Sequence, residues 1–278
     1  PASFCGLAGL KTTVGRVSLH GILPLSGTLD TPGPMTRSVE DAALIYDVIQ
    51  GPDPLWPPTL AHYGENPFTN MRAGVAGLRL AAVSGAELAS VDAPTLAAFK
   101  AAQEILTGLG AIITPFEMPR PFAEFAGIAG RIIGAEGFRY VGELVNTPNL
   151  PVDPHVRPRI QLGQDIRAHE YLDALAEKEA AKAEFDTALG DFDALLLPST
   201  ETPAIPLTEV DEGGTPALFT RAGNCLDLCA LSLPNGFSPG GLPTSLQIAC
   251  RGYDEAMAIR IGWAYEQATD WHQSHPEL

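Results

Sequence analysis

The chain has 278 residues, with 33 acidic against 17 basic side chains and a formal net charge of −16. Such a surface repels phosphate backbones, and no basic stripe offsets it, so we expect no nucleic acid partner. With 45% hydrophobic residues, a chain of this length can bury about three quarters of its unfolded surface in one core. We identify no signal peptide and no apolar run of about 18 residues, so we expect no membrane contact.

The four cysteines are Cys5, Cys225, Cys229 and Cys250. Four cysteines in a chain this long do not indicate a disulfide framework, so we interpret them as buried, reduced thiols of a cytoplasmic protein. The spacing of Cys225 and Cys229 would make them neighbours on one face of a helix. The six histidines lack a useful ligand spacing, so we expect neither a metal nor a cofactor.

Helical and extended patterns alternate along the first half of the chain. Ser38 can cap a helix over residues 39–50, and the Pro- and Asn-rich stretch 52–73 predicts a long surface connection. An apolar strand at 78–83 is followed by a helix that begins at Asp92, and then by a second strand at 111–114. This βαβ pattern predicts a parallel strand pair with a helix on its face.

The second half continues the alternation. Residues 122–144 and 166–189 are predicted helices, and we interpret the charges of the second as a solvated face. The run DALLLP at 193–198 is typical of a central strand buried on both faces. Strands at 231–234 and 244–250 follow.

A helix over residues 254–268 closes the chain. The whole pattern predicts an α/β fold with a mixed, mostly parallel central sheet that is covered by helices on both faces.

Several long stretches of the sequence resemble the amidase-signature family. The beginning of the chain is similar to the segment that directly follows the nucleophile motif of that family: PASFCGLAGLKTTVGRVS, then ILPLSGTLDTPGPMTRSVEDAALIYDVIQGPDP. Three later stretches resemble the same family: GLRLAAV through LGAIITP, DALLLPSTETPAIP, and FTRAGN…LSLPNGF…GLPTSLQI. The resemblance implies that residues 1–278 are the C-terminal portion of a single amidase-signature domain whose N-terminal part is missing.

The resemblance also implies a serine nucleophile, a second serine held through a cis peptide, and a lysine. In the family the nucleophile stands four positions before the proline that matches Pro1, and the other two residues lie earlier still. We therefore expect no catalytic residue in this chain. Ser3 is offset from the family position, and Cys5 has no histidine tied to it by any spacing rule. Lys11 matches a lysine of the family that is not catalytic. Structural roles are the default interpretation of these three residues.

The strands also indicate where a substrate would bind. Ligands of open α/β sheets lie beyond the carboxyl ends of the strands, which places the hydroxyls after DALLLP near a ligand. A segment before the next core strand is the second choice. The predicted substrate-binding residues are Ser199, Thr200, Thr202, Phe219, Thr220 and Asn224. Alternatively, the hydroxyls cap turns and the asparagine holds a loop. We also expect the amino end to lie buried at the mouth of a depression.

Three functions remain open at this point. The first is hydrolysis of the C–N bond of small amides, aryl amides or carbamates by a complete enzyme, which the missing N-terminal segment supplies with its serine. A homodimer is compatible with this function. The second is the role of the A subunit of a tRNA-dependent glutamyl or aspartyl amidotransferase, which works with partner subunits. The third is a catalytically inert fragment or binding module.

Overall fold

The computed structural model describes residues 1–61 and 66–276. Seven strands form one sheet, and their bounds are Ala8–Lys11 (β1), Met35–Thr36 (β2), Arg79–Val83 (β3), Ile112–Phe116 (β4), Ala194–Pro198 (β5), Cys229–Phe237 (β6) and Pro243–Cys250 (β7). The α-helices of the described residues are Ala2–Cys5 (α1), Val39–Ile49 (α2), Ala93–Gly108 (α3), Glu124–Asn146 (α4), Val156–Gln161 (α5), Ala168–Leu189 (α6), Leu218–Cys225 (α7) and Glu255–Gln267 (α8). The order of the strands across the sheet is β2-β1-β6-β7-β5-β3-β4.

The sheet is mixed, as predicted, but the expected predominance of parallel pairs is wrong. Strand β3 pairs in parallel with β4 and with β5, whereas the other four neighbouring pairs are antiparallel. The connection between β6 and β7 is a short turn from Phe237 to Pro243. A connection this short can only reverse the chain, because a parallel pair requires a crossover of a dozen or more residues.

The predicted βαβ unit is confirmed. The side chain of Asp92 accepts a hydrogen bond from the backbone N–H of Thr95 at 2.9 Å and thereby caps α3. Phe99, Ala102 and Leu106 lie on the buried side of this helix. The two strands that α3 connects are parallel neighbours.

The predicted central strand is also confirmed. All five residues of β5 are buried, and the strand lies between β3 and β7. The connection at 52–73 contains a short 3-10 helix, Pro57–Leu60, and its residues 62–65 lie outside the described residues.

Helices cover both faces of the sheet. A Cβ added to Gly262 of α8 would meet the side chain of Leu231 at 2.2 Å, which places α8 on that face of β6. A Cβ added to Gly9 would meet Ala2 of α1 at 2.5 Å, and Gly9 is the cross-strand partner of Ser232. Because successive residues of a strand point to opposite faces, α1 and α8 lie on opposite sides of the sheet.

The charged face predicted for α6 is only partly solvated. Lys178 is 4% exposed, and its ammonium donates a hydrogen bond to the carboxylate of Asp227 at 2.7 Å. Lys182 donates to the other oxygen of the same carboxylate at 2.9 Å. The sequence pattern did not indicate this because a lysine can bury its aliphatic stem when a carboxylate meets its charged end.

The predicted neighbourhood of Cys225 and Cys229 on one helix is wrong. Helix α7 ends at Cys225, whereas Cys229 is the first residue of β6 and lies opposite Cys250 in β7. These three cysteines are buried and free, and Cys5 is free but exposed.

A buried carboxylate joins the two ends of the chain. Glu255, the first residue of α8, has no exposed surface. It accepts hydrogen bonds from the backbone N–H of Thr13 at 2.7 Å and from the Nε of Arg16 at 3.1 Å. Arg16 also donates to the backbone carbonyl of Tyr253 at 2.7 Å. This cluster ties residues 13–16 to the start of the last helix.

Replacing Glu255 by Gln should therefore destabilise the protein strongly. The substitution removes the carboxylate charge that faces the buried guanidinium of Arg16, and breaking a buried ion pair costs about 3–5 kcal/mol. Urea denaturation would measure the free energy of unfolding. The control is Glu104→Gln on the exposed side of α3, which should change that value by less than about 0.5 kcal/mol. Equal effects of the two substitutions would contradict this role of Glu255.

Candidate functional site

The first helix of the chain lies against the loop that follows β5. The Oγ of Ser3 is 3.1 Å from the Oγ1 of Thr200, within hydrogen-bond distance. The hydroxyl of Ser245 in β7 donates to the backbone carbonyl of Ser3 at 3.3 Å. Ala2 and Ser3 are buried, whereas Pro1 is exposed. The amino end is therefore packed against the hydroxyl-bearing loop that the sequence singles out.

Ser199 is enclosed at this end of the sheet. It is 2% exposed, and its Oγ lies 2.7 Å from the Oγ of Ser232 in β6. Its backbone N–H donates to the carbonyl of Ser245 at 3.1 Å. The Ser199 side chain thus connects the end of β5 to β6.

The two threonines of the loop bond to their own neighbours. The hydroxyl of Thr200 donates to the backbone carbonyl of Thr202 at 2.8 Å, and that of Thr202 donates to the carbonyl of Pro203 at 3.0 Å. Such local bonds are typical of residues that cap turns. Thr202 is exposed, so its position also leaves it open to a ligand, and its role in binding stays a prediction.

The second predicted group lies on α7, a helix that the sequence interpretation missed. Phe219 has no exposed surface, and its ring packs edge-on against Phe122 with centroids 5.1 Å apart. Thr220 is exposed, and Asn224, one turn further on, is half-buried. The Oδ1 of Asn224 is buried and has no hydrogen-bond partner among the described residues.

The two predicted groups are not joined by a hydrogen bond anywhere in the described ranges. Among the described residues, a hydrogen bond therefore joins the loop after β5 to α1, and none joins it to α7. A helix of eight residues is shorter than the window of roughly 11–18 residues over which an apolar period is identified, which explains why the sequence pattern did not reveal α7.

Lys11 cannot serve as a base for Ser3. Its ammonium donates to the backbone carbonyls of Thr12 at 2.9 Å and Leu228 at 2.8 Å. These contacts lie at the start of β6, whereas Ser3 packs near Thr200, beyond the last residue of β5. Desolvation lowers the pKa of Lys11 to about 8, although the nearby Cys229 and Asp227 act in the opposite direction.

A cleft lies at the end of the sheet that is remote from Ser199. It has a volume of about 750 Å³, and its lining includes Lys178, Lys182, Asp227 and Arg251. The ammonium groups of both lysines already contact Asp227. The expectation that the amino end lies buried at the mouth of a depression is wrong for the first residue, because Pro1 is exposed. This cleft is also not at the amino end, because neither Ser3 nor Thr200 lines it.

Two further observations concern ligands and membranes. Within residues 1–61 and 66–276, no group of three or more His, Cys, Asp or Glu side chains could hold a metal ion. In the same part of the chain, no helix is long and apolar enough to cross a bilayer.

Comparison with known proteins identifies the family. The family described as Amidase matches residues 1–259. The chain belongs to the amidase family. A protein named amidase from Pseudomonas putida is 34% identical over 289 residues, which cover 100% of this chain and 62% of that protein. The A subunit of the glutamyl-tRNA(Gln) amidotransferase of Thermodesulfovibrio yellowstonii is 33% identical over 307 residues, again 100% of this chain and 63% of the relative.

Solved amidase structures share the fold. The peptide amidase of Stenotrophomonas maltophilia superposes with a TM-score of 0.82 at 26% identity, over 97% of this chain and 59% of that protein. The family assignment and the α/β fold inferred from the sequence are thus confirmed. This amidase chain spans about three fifths of the length of the relatives it matches.

The lowered pKa of Lys11 predicts a pH-dependent stability. Unfolded lysine titrates near 10.5, so between about pH 8 and 10.5 the unfolded chain binds a proton that the folded chain lacks. The contribution of Lys11 to the free energy of unfolding should therefore rise with pH in this window, whereas the raised pKa values of the buried Cys225 and Cys250 make their own contributions fall. Below pH 8 the buried charge of Lys11 is a constant penalty. Chemical denaturation across this window should show that Lys11→Met makes the slope of the free energy of unfolding against pH more negative.

The exposed Lys100 provides the control for this experiment. Its replacement by Met should leave the pH dependence of unfolding as it is in the unaltered protein. If the profile of Lys11→Met were parallel to that of the unaltered protein, Lys11 would not be the group responsible.

Proposed function

We propose that this chain forms the scaffold and the substrate-loop side of an enzyme that hydrolyses C–N bonds in small, uncharged amides, aryl amides or carbamates. The serine nucleophile is supplied by polypeptide that precedes Pro1. The observation that carries the proposal is the contact between Ser3 and Thr200 at 3.1 Å, which fixes α1 to the loop after β5.

The geometry of the chain supports this assignment. A residue four positions before Pro1 lies within about 14 Å of it, because each residue advances the backbone by at most about 3.6 Å. A serine at that position would therefore lie no more than about 14 Å from the first residue of the chain, next to the helix α1 that contacts Thr200. Cleavage of an amide also requires a base and oxyanion donors, which we assign to the same preceding polypeptide.

The charges near the loop favour a neutral substrate over an anionic one. Ser199, Thr200 and Thr202 carry no charge, and Glu201 between them is acidic. The nearest arginine that follows the loop, Arg221, contacts the hydroxyl of Thr215. Arg131 pairs with Glu177 of α6. Neither arginine is placed as a clamp for a substrate carboxylate.

A second candidate is the A subunit of a tRNA-dependent amidotransferase. It is supported by the 33% identity to one such protein, nearly the same as the 34% identity to the Pseudomonas putida amidase. Purification under native conditions discriminates between the two candidates. Stoichiometric co-purification of further subunits favours the amidotransferase, whereas purification without them favours the stand-alone hydrolase.

The first test of the proposal concerns the nucleophile. In the polypeptide that includes the segment before Pro1, replacing the serine four positions ahead of Pro1 by Ala should abolish anilide and ester hydrolysis. The loss should be at least about 10³-fold, as expected when a catalytic nucleophile is removed. Residues 1–278 alone should give no turnover. Burst release of product by these residues alone would refute the proposal.

The second test concerns the substrate loop. In the active polypeptide, Thr200→Val removes a hydroxyl with hydrogen bonds to Ser3 and Thr202, at nearly constant side-chain volume. We expect KM to rise about 3- to 10-fold, equivalent to one hydrogen bond of about 0.5–1.5 kcal/mol. Thr187→Val is the matched control, because the Thr187 hydroxyl bonds only within α6. An unchanged KM together with a large loss of stability would assign Thr200 to a turn-capping role.

A further inference from the structure

Helix α2 carries two apolar stripes. One stripe faces the core, and its buried members are Val39, Ala42, Ala43 and Tyr46. The second stripe faces outward and is here named the outer α2 stripe; its members are Leu44, Ile45, Val48 and Ile49, all of them exposed. Val48 is 82% exposed and Leu44 is 52% exposed. A helix with apolar side chains on opposite sides is typical of a position between two layers of structure.

The stripe continues into a groove at the edge of the sheet. Leu44 and Ile45 line an open groove of about 450 Å³ together with the apolar Leu7 and Met35 and the polar Thr36, Arg37 and Asp41. Met35 belongs to β2, the outermost strand of the sheet, and is 57% exposed. An apolar helix face beside an outer strand matches the surface on which another helix packs, at an interaxial distance of about 8–10 Å.

We propose that the outer α2 stripe and this groove are the docking surface for the polypeptide that precedes Pro1. The inference rests on the proposed function, which requires such a segment to bring the nucleophile. The docking proposal adds which face of this chain the segment covers and that the contact is apolar. The segment presents a helix whose apolar side chains recur at three- and four-residue spacing, as those of the outer α2 stripe do.

Two observations favour this occupant over a second copy of the chain. The relatives are longer, and about two fifths of their length has no counterpart in these residues. The groove also lies close to the first residue: Leu7 lines it and follows Pro1 by six positions, so polypeptide that precedes Pro1 starts within about 22 Å of the groove. Pro1 itself is exposed, so the chain can continue from it without disturbing the core.

Cysteine accessibility tests the proposal in the polypeptide that includes the preceding segment. The exposed Cys5 is first replaced by Ser, because the other cysteines are buried. Val48→Cys then places a thiol in the outer α2 stripe, and Asp47→Cys places one on the neighbouring exposed flank of α2. We expect maleimide to label Val48→Cys at least about tenfold more slowly than Asp47→Cys, because a docked helix must open before the reagent can enter.

The protection should be independent of protein concentration, since the occupant belongs to the same polypeptide. Equal labelling rates for the two variants would overturn the docking proposal. Protection that appears only as the concentration is raised would overturn it in favour of a second copy. Leu44→Cys repeats the test if Val48→Cys fails to fold.

Reaction of the same samples with a fluorophosphonate separates this proposal from the proposed function. A polypeptide whose serine reacts while the thiol of Val48→Cys stays open contradicts the docking surface alone. A polypeptide that protects the thiol but carries no reactive serine contradicts the proposed function and leaves the docking surface in place.

Discussion

One buried carboxylate holds together two segments of the chain that are far apart in the sequence. Glu255 lies at the start of the last helix, yet its hydrogen-bond donors, Thr13 and Arg16, come from the beginning of the chain. A charge in such a position is tolerable only when it is paired and fully hydrogen-bonded. The pairing therefore fixes where the segment after β1 runs, and with it the position of β1 beside β6.

At the opposite end of the sheet, hydrogen bonds also hold together segments that are far apart in the sequence. There the hydroxyls of Ser3, Thr200, Ser199, Ser232 and Ser245 connect α1, the loop after β5, and strands β6 and β7. Hydroxyl groups suit this role because each can donate and accept a hydrogen bond, so the members of a small cluster can serve as hydrogen-bond partners for one another. The arrangement fixes α1 to the sheet, which is what the proposed nucleophile would need for accurate placement.

Elements with strong local signals could be predicted from the sequence. Asp92 and the stripe that contains Phe99 indicated α3, and the uninterrupted apolar run of β5 indicated a strand buried on both faces. The two-residue strand β2 and the four-residue helix α1 were missed, because elements this short are formed by tertiary contacts rather than by periodicity. The sequence also did not predict that β7 runs antiparallel to β5, because the direction of a strand is set by tertiary contacts and not by its apolar pattern.

The candidate site was predicted less completely than the fold. The position of Ser199 and Thr200 at a strand end follows from a general rule for α/β sheets. Their contact with Ser3 could not be inferred, because nearly two hundred residues separate the partners. Phe219 looked like a pocket residue, but its large apolar ring is enclosed against Phe122 in the core.

The pairing of β1 with β6 has a consequence for how the protein is made. Gly9 meets Ser232 across more than two hundred residues of intervening chain, so β1 must wait during synthesis for a partner strand that the ribosome releases much later. Contacts of such high sequence separation form slowly and leave apolar surface uncovered in the meantime. Until then the nascent chain would present the β6-facing edge of β1 to solvent, and we expect its production to depend on chaperones that shield such strands.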